Sequence, residues 1–257
     1  MHFAQACRRS LALLIATLPL AFASGQAAAA EIYVVGAGAI EEPFEQLAAE
    51  FSKQTGHKVH AIFGPVGGMQ AKLKGGEKAD VIVLSTAAMD ELDKAGSLVA
   101  GSRAEVGRAV AGVAVKSGAA KPDISTPDAL KQALLAARTV AYTNPAAGGT
   151  AGIYMNGLLD RLGIADEVKK KALLEASGSA VAAAVANGAA EIGISFTSEL
   201  MPNKEVAVVG PIPQSIGLVV TYAGAVESHS KEADAARALV TYMTTPAARD
   251  QYKAAGL

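Results

Sequence analysis

The chain has 257 residues, 51% of them hydrophobic and 18% charged, which is enough apolar material for one large domain or two lobes of about 100 residues each and excludes a disordered or disulfide-stapled chain. Lys and Arg number 23 against 24 Asp and Glu, a net charge of −1, so no polyelectrolyte field points to nucleic acid or an anionic membrane surface. Aromatic residues at 5% and no Trp leave little stacking surface for bases or sugars, and a small ligand is the better expectation.

Residues 1–30 read as a bacterial export signal. Arg8 and Arg9 form a basic start, 11–23 an apolar run, and Ala28-Ala29-Ala30 a small-residue cleavage site, predicting a mature chain from Glu31. The run is shorter than the about 20 residues a bilayer span needs. Cleavage leaves 21 basic against 24 acidic side chains, a net charge of −3, and removes Cys7, the one cysteine. Cys7 precedes the apolar run, so it is not placed to accept a lipid. The expectation is a cysteine-free protein of the periplasm.

The mature chain opens with a strand over 32–35, the loop Gly36-Ala37-Gly38, and a helix from about 41 to 54. Phe44, Leu47, Ala48 and Phe51 stripe one face of that helix at i, i+3, i+4 and i+7, and Glu41 and Glu42 occupy its first turn, where the dipole favours acids. The same grammar recurs in a strand over 58–63, the loop Gly64-Pro65-Val66-Gly67-Gly68 and a helix over 69–74, then in a strand over 80–84, Ser85-Thr86 and a helix over 87–95. An uncharged core makes 106–116 a buried strand. A second series follows: helix 127–136, strand 139–142, loop 143–149, helix 151–162, helix 180–186, strand 192–195, a helix start at 197–200 and strand 206–209. A strand over 216–225 and helices over 231–243 and 246–254 end the chain.

Alternating strands and helices in two series predict an α/β protein of two lobes, 31–112 with 217–257 and 113–216, joined by two crossing strands near 110–116 and 217–224. The strand-to-helix loops then aim backbone N–H groups and helix dipoles into the cleft, which suits an anion without a dense cluster of Lys or Arg.

Several residue groups then resemble a known family: Val34-Val35-Gly36-Ala37-Gly38-Ala39, Phe63-Gly64-Pro65-Val66-Gly67-Gly68, Ala79-Asp80-Val81 with Met89-Asp90, Asn144-Pro145 with Ala151-Gly152, Ala190-Glu191-Ile192-Gly193-Ile194 and Pro246-Ala247-Ala248. Over nearly all of 32–257 the chain is similar to the class II periplasmic solute-binding proteins of ABC importers, and among them to the molybdate-binding branch. The resemblance implies a type II periplasmic-binding-protein fold that closes on a small oxyanion or organic carboxylate, with Gly38, Ala39, Gly64, Val66, Gly67, Ser85, Thr86, Thr150, Ala151 and Phe196 as ligand-binding positions. It also implies a monomer that hands its ligand to an ABC permease of the inner membrane, with no cofactor, metal or nucleic acid. Serines of the branch align with Ala39, Pro65 and Val66 and its tyrosine with Phe196. Those hydroxyls are missing, and Pro65 offers no N–H.

A narrower resemblance, carried by Ser102-Arg103, Ala114-Val115, the stretch Gly118 to Ser125, Val140-Ala141-Tyr142 and Ser198-Glu199-Leu200, is to bacterial aconitate isomerases. It implies a proton shift between carbons next to carboxylates, which needs a base and a clamp. Arg103 and Arg108 precede the crossing strand and are the clamp candidates, with a solvated role as the alternative. Glu199 and Asp80 are acid candidates, Asp80 more simply a local cap or pair, and the base is not identified by spacing. Tyr142 ends a strand and faces either the cleft or the core. His57 and His60, three apart on a strand, face opposite sides and do not make a metal pair. Lys169-Lys170-Lys171 reads as a solvated helix face.

Overall fold

The computed structural model describes residues 29–257, so the export signal expected over 1–30 lies almost wholly outside the described residues. Its elements alternate from the start: β1 (Glu31–Ala37), α1 (Glu41–Thr55), β2 (Lys58–Gly64), α2 (Val66–Lys74), β3 (Val81–Ser85) and α3 (Thr86–Lys94). β2, β1 and β3 lie parallel in that order. β3 is buried throughout, as an apolar strand covered on both faces should be. The predicted stripe of α1 is its buried face, with Phe44, Leu47, Ala48 and Phe51 turned inward.

The long β4 (Ala104–Lys116) is where the sheet changes partners. Its first half runs antiparallel to β9 (Val219–Val226), itself antiparallel to β3, and its second half pairs with β7 (Ile192–Phe196) and β8 (Val206–Pro211). β5 (Val140–Thr143) lies parallel between β7 and β6 (Ala172–Glu175). Helices α4 (Pro127–Ala136), α5 (Thr150–Leu162), α6 (Ala165–Lys169), α7 (Gly178–Ala186) and the single turn α8 (Thr197–Leu200) surround this second part. The chain ends in α9 (Ala233–Tyr242) and α10 (Pro246–Ala254).

The buried side chains sort accordingly. One cluster gathers Phe44, Ile82, Met89, Leu239, Met243 and Tyr252, and it reaches across to Ala151 and Phe196. A second gathers Leu130, Tyr142, Met155, Leu158 and Ile194 on one face of β5 and β7, and a smaller third gathers Val181, Val185 and Leu200 on the other. This is the two-lobed type II α/β fold. Tyr142 is a core residue of the second cluster and does not line the cleft.

Three local expectations change. α2 begins at Val66, three residues before the predicted start, with Gly67 and Gly68 inside the helix. β6 carried no predicted element, and α6 only the helix face expected at the three lysines; β6 is a half-exposed edge strand whose pattern does not alternate cleanly. The three lysines are not one solvated face, because α6 ends at Lys169 and Lys171 donates to the carbonyls of Leu135 and Ala137 at the end of α4. Asp80 is buried and accepts from the Tyr33 amide at 2.9 Å and the Ser230 hydroxyl at 2.7 Å, tying β1 to the loop before α9. Ahead of β9, Ala111 accepts from the Ile212 amide and donates to the Leu218 carbonyl.

Candidate functional site

Between the lobes lies a cavity of about 460 Å³. The first lobe supplies Gly38 and Ala39 from the turn after β1, Glu41, Glu42 and Glu45 of α1, the Phe63–Val66 segment and Tyr222 of β9. The second supplies Thr143, Thr150 and Ala151, Ser177 to Ser179, and Phe196, Ser198 and Glu199. Phe196 and Tyr222 meet edge to face across the cleft, their centroids 6.3 Å apart.

Four helices of nine residues or more begin at this cavity: α1, α2, α5 and α7. A helix start leaves backbone N–H groups unpaired unless a side chain caps them. Ser177 caps α7 by accepting from Ala180, but Pro65 and Gly149, ahead of α2 and α5, offer no capping side chain. Beside these uncapped starts, where the Gly67 amide already donates to the Gly148 carbonyl, the hydroxyls of Thr143 and Ser198 are buried without a hydrogen-bond partner. Polar groups left this way carry a desolvation cost that a bound acceptor relieves.

The charge lining the cavity is unusual for an anion site, since among the described residues it includes four glutamates and no Lys, Arg or His. Burial pushes the Glu41 carboxyl up, reinforced by Glu45 and Glu42. Glu199 is partly buried, and burial pushes its carboxyl up more strongly than hydrogen bonds from Ser195 and the Phe196 and Gly178 backbone pull it down. The Ser195 hydroxyl donates to Oε2 at 2.6 Å. Room for this carboxyl comes from two missing side chains: a Cβ at Gly178 would overlap it, and one at Gly38 would lie 3.0 Å from Oε1.

The lobes also touch backbone to backbone. The Gly67 amide donates to the Gly148 carbonyl at 3.1 Å, and a Cβ at Gly67 would come within 3.0 Å of the Gly148 α-carbon. The glycines inside α2 therefore serve the interlobe contact.

Of the residues singled out by sequence, Gly38, Ala39, Gly64, Val66, Thr150, Ala151 and Phe196 line the cavity, and Gly67 sits at the contact just described. Ser85 and Thr86 do not line it. Ser85 caps α3 by accepting from Ala88, and its strand pairs with β9 so that Tyr222, in register with Ser85, is the residue presented to the cavity. Arg103 is not a cavity clamp, because Asp90 and the Thr86 carbonyl hold its guanidinium; Arg108, opposite Thr221 on β4, is likewise outside the lining. The acids on α1, Tyr222, Thr143, Ser177, Ser179 and Ser198 were missed as cavity residues. Ser177 alone had a local signal, a serine before a small-residue helical run. His57 accepts from the Ala30 amide, His60 stacks on Tyr33, and no group of three metal-binding side chains forms among the described residues.

The family profile described as bacterial extracellular solute-binding protein matches residues 32–257. The chain belongs to this family. The solute-binding protein is 32% identical over 252 residues to an aconitate isomerase of a Pseudomonas species, covering 96% of this chain and 93% of that protein. It is 30% identical over 252 residues to a molybdate-binding protein of Azotobacter vinelandii, covering 96% and 97%. The solved structure of the Azotobacter vinelandii periplasmic molybdate-binding protein superposes with a TM-score of 0.69 at 26% identity, covering 88% of this solute-binding protein and 97% of that chain.

Proposed function

We propose that this solute-binding protein is a periplasmic receptor that closes on a small anion, an oxyanion or an organic carboxylate, and presents it to an ABC permease. Its export signal is 1–30, its first lobe 31–112 with 217–257, and its second 113–216. The observation that carries the reading is the meeting of the uncapped starts of α2 and α5 with the unpartnered hydroxyls of Thr143 and Ser198 in one cavity. Amides and hydroxyls of this kind bind anions without a cationic side chain. They also answer the loss of the aligned serines: Thr143, Ser177, Ser179 and Ser198 stand around the cavity whose other wall holds Ala39, Pro65 and Val66. The 30% likeness to a molybdate-binding protein supports the anion class.

A thermal-shift screen of molybdate, tungstate, sulfate, phosphate and di- and tricarboxylates tests this. A ligand at 100 times its Kd stabilises by about 2.7 kcal/mol, which raises Tm by roughly 5–10 °C in a chain of this size. No shift from any anion overturns the reading.

A second reading, isomerisation of a tricarboxylate, is favoured by one observation, the partly buried Glu199 carboxyl among the cavity residues, together with the 32% likeness to an aconitate isomerase.

A further inference from the structure

Glu199 is the cavity group for which an anion receptor has no evident use. The groups that touch or perturb its carboxyl come from several elements. Ser195 and the Phe196 backbone belong to β7, Gly178 to α7, Gly38 to the turn after β1, Glu41 to α1 and Tyr222 to β9. Of these, Glu41 and Tyr222 titrate, neither is a cation, and among the described residues no Lys, Arg or His lines the cavity. Ser195 fixes Oε2, while Oε1 stands against Gly38, where no side chain covers it. A partly buried carboxylate, oriented through one oxygen and with no cation lining its cavity among the described residues, is a stronger base than the same group in water.

We propose that Glu199 is the catalytic acid–base group of a 1,3-proton shift on an unsaturated polycarboxylate bound in this cavity. The inference rests on the second reading above and supplies the base that sequence spacing did not identify. The substrate class is a molecule with a CH₂ group between a carboxylate and a carbon–carbon double bond. The Glu199 carboxylate takes a proton from that CH₂, so a C–H bond breaks and an O–H bond forms. The electron pair spreads over the three-carbon unit and its conjugated carboxylate. Protonated Glu199 then returns the proton to the far carbon of the unit: the O–H bond breaks, a C–H bond forms, and the double bond has moved by one carbon. Atoms and charge balance, and no oxidant, reductant or cofactor is consumed. The uncapped starts of α2 and α5 and the Thr143 and Ser198 hydroxyls are the groups available to hold the substrate's carboxylates. Glu199 sits on the same cavity wall as Ser198, one residue away.

The experiment incubates the purified protein with trans-aconitate in D₂O and follows proton NMR. The expected result is deuterium entering both ends of the three-carbon unit and the appearance of cis-aconitate, with a rate that rises with pH to a plateau. Glu199→Gln matches the neutral carboxyl in size and is expected to lower the exchange rate at least 100-fold while trans-aconitate still raises Tm. Glu199→Asp keeps an acid and is expected to retain a reduced rate with the same form of pH profile. That variant decides the matter if the glutamine form does not melt cooperatively. No exchange by the wild type, or a glutamine variant within about threefold of it, overturns the inference. A thermal shift with molybdate and no exchange of trans-aconitate overturns it and leaves the receptor standing, whereas an absent shift with every anion removes the receptor itself.

Discussion

The turn from β3 to α3 and the turn from β7 to α8 look alike on paper, each an apolar strand running into hydroxyl residues and a helix start. In the first, Ser85 accepts from the Ala88 amide, and Tyr222 stands in register with it at the cavity end of the sheet. In the second, Thr197 is tied to the Gly256 carbonyl at 2.9 Å, and the buried Ser198 hydroxyl has no partner. A hydroxyl that satisfies its own helix is not free for a ligand; one buried beside a cavity and unsatisfied is. The distinction lies in which hydrogen bonds the fold has already made, not in residue type.

The sharpest test exchanges the two serines for alanine. Ser198→Ala is expected to leave the unliganded protein as stable or slightly more so, because it removes a buried unsatisfied group. It should weaken the best anion of the screen by about 10–100-fold, the worth of a hydrogen bond to a charged group at about 1.5–3 kcal/mol. Calorimetric titration reads the affinity. The next effect comes from the lobe contact. Gly67→Ala places a methyl about 3.0 Å from the Gly148 α-carbon, and it should reduce apparent affinity by roughly tenfold, or about 1.4 kcal/mol. Because alanine is the better helix former, the unliganded protein should not melt earlier. Small-angle scattering with ligand present should show a larger radius of gyration than the wild type.

Ser85→Ala should do the reverse of Ser198→Ala, lowering stability by about 0.5–2 kcal/mol through loss of a helix cap while affinity is unchanged. Equal affinity losses for the two serine variants would break the comparison. The smallest effect is in pH. Burial raises the Glu199 carboxyl above its ordinary value of 4.5, so the folded state holds its proton more firmly than the unfolded state. Its contribution to stability is complete below about 4.5 and is lost as pH rises through the higher folded value. The Tm of the unliganded wild type should therefore decline over that rise, and Glu199→Gln should flatten the decline.

Much of the architecture was legible because strands such as β3 are continuous apolar runs and α1 has an undiluted stripe. α2 was read short because Gly67 and Gly68 are poor helix formers, and what favours glycine at Gly67 is a contact with Gly148, a residue 81 positions away. β6 was missed because an edge strand with half-exposed positions gives no periodic signal. The glycine loops marked one wall of the candidate site. Arg103 misled because its partner Asp90 lies on another element, and Tyr222 was invisible because only strand register brings it beside Ser85. Glu199 was legible as an acid but not as one wedged between the lobes, since the glycines that make room for it come from positions 38 and 178.

The central claim is that the cavity holds an anion despite its glutamates. Calorimetric titration of the purified protein with molybdate, trans-aconitate and citrate, alongside the diamine putrescine, tests it most directly. The account predicts saturable heat from at least one anion, weakened by Ser198→Ala, and none from the amine. Saturable putrescine binding with silence from every anion would contradict it, and would mean that Glu41, Glu42, Glu45 and Glu199 act as ionised groups around a cation.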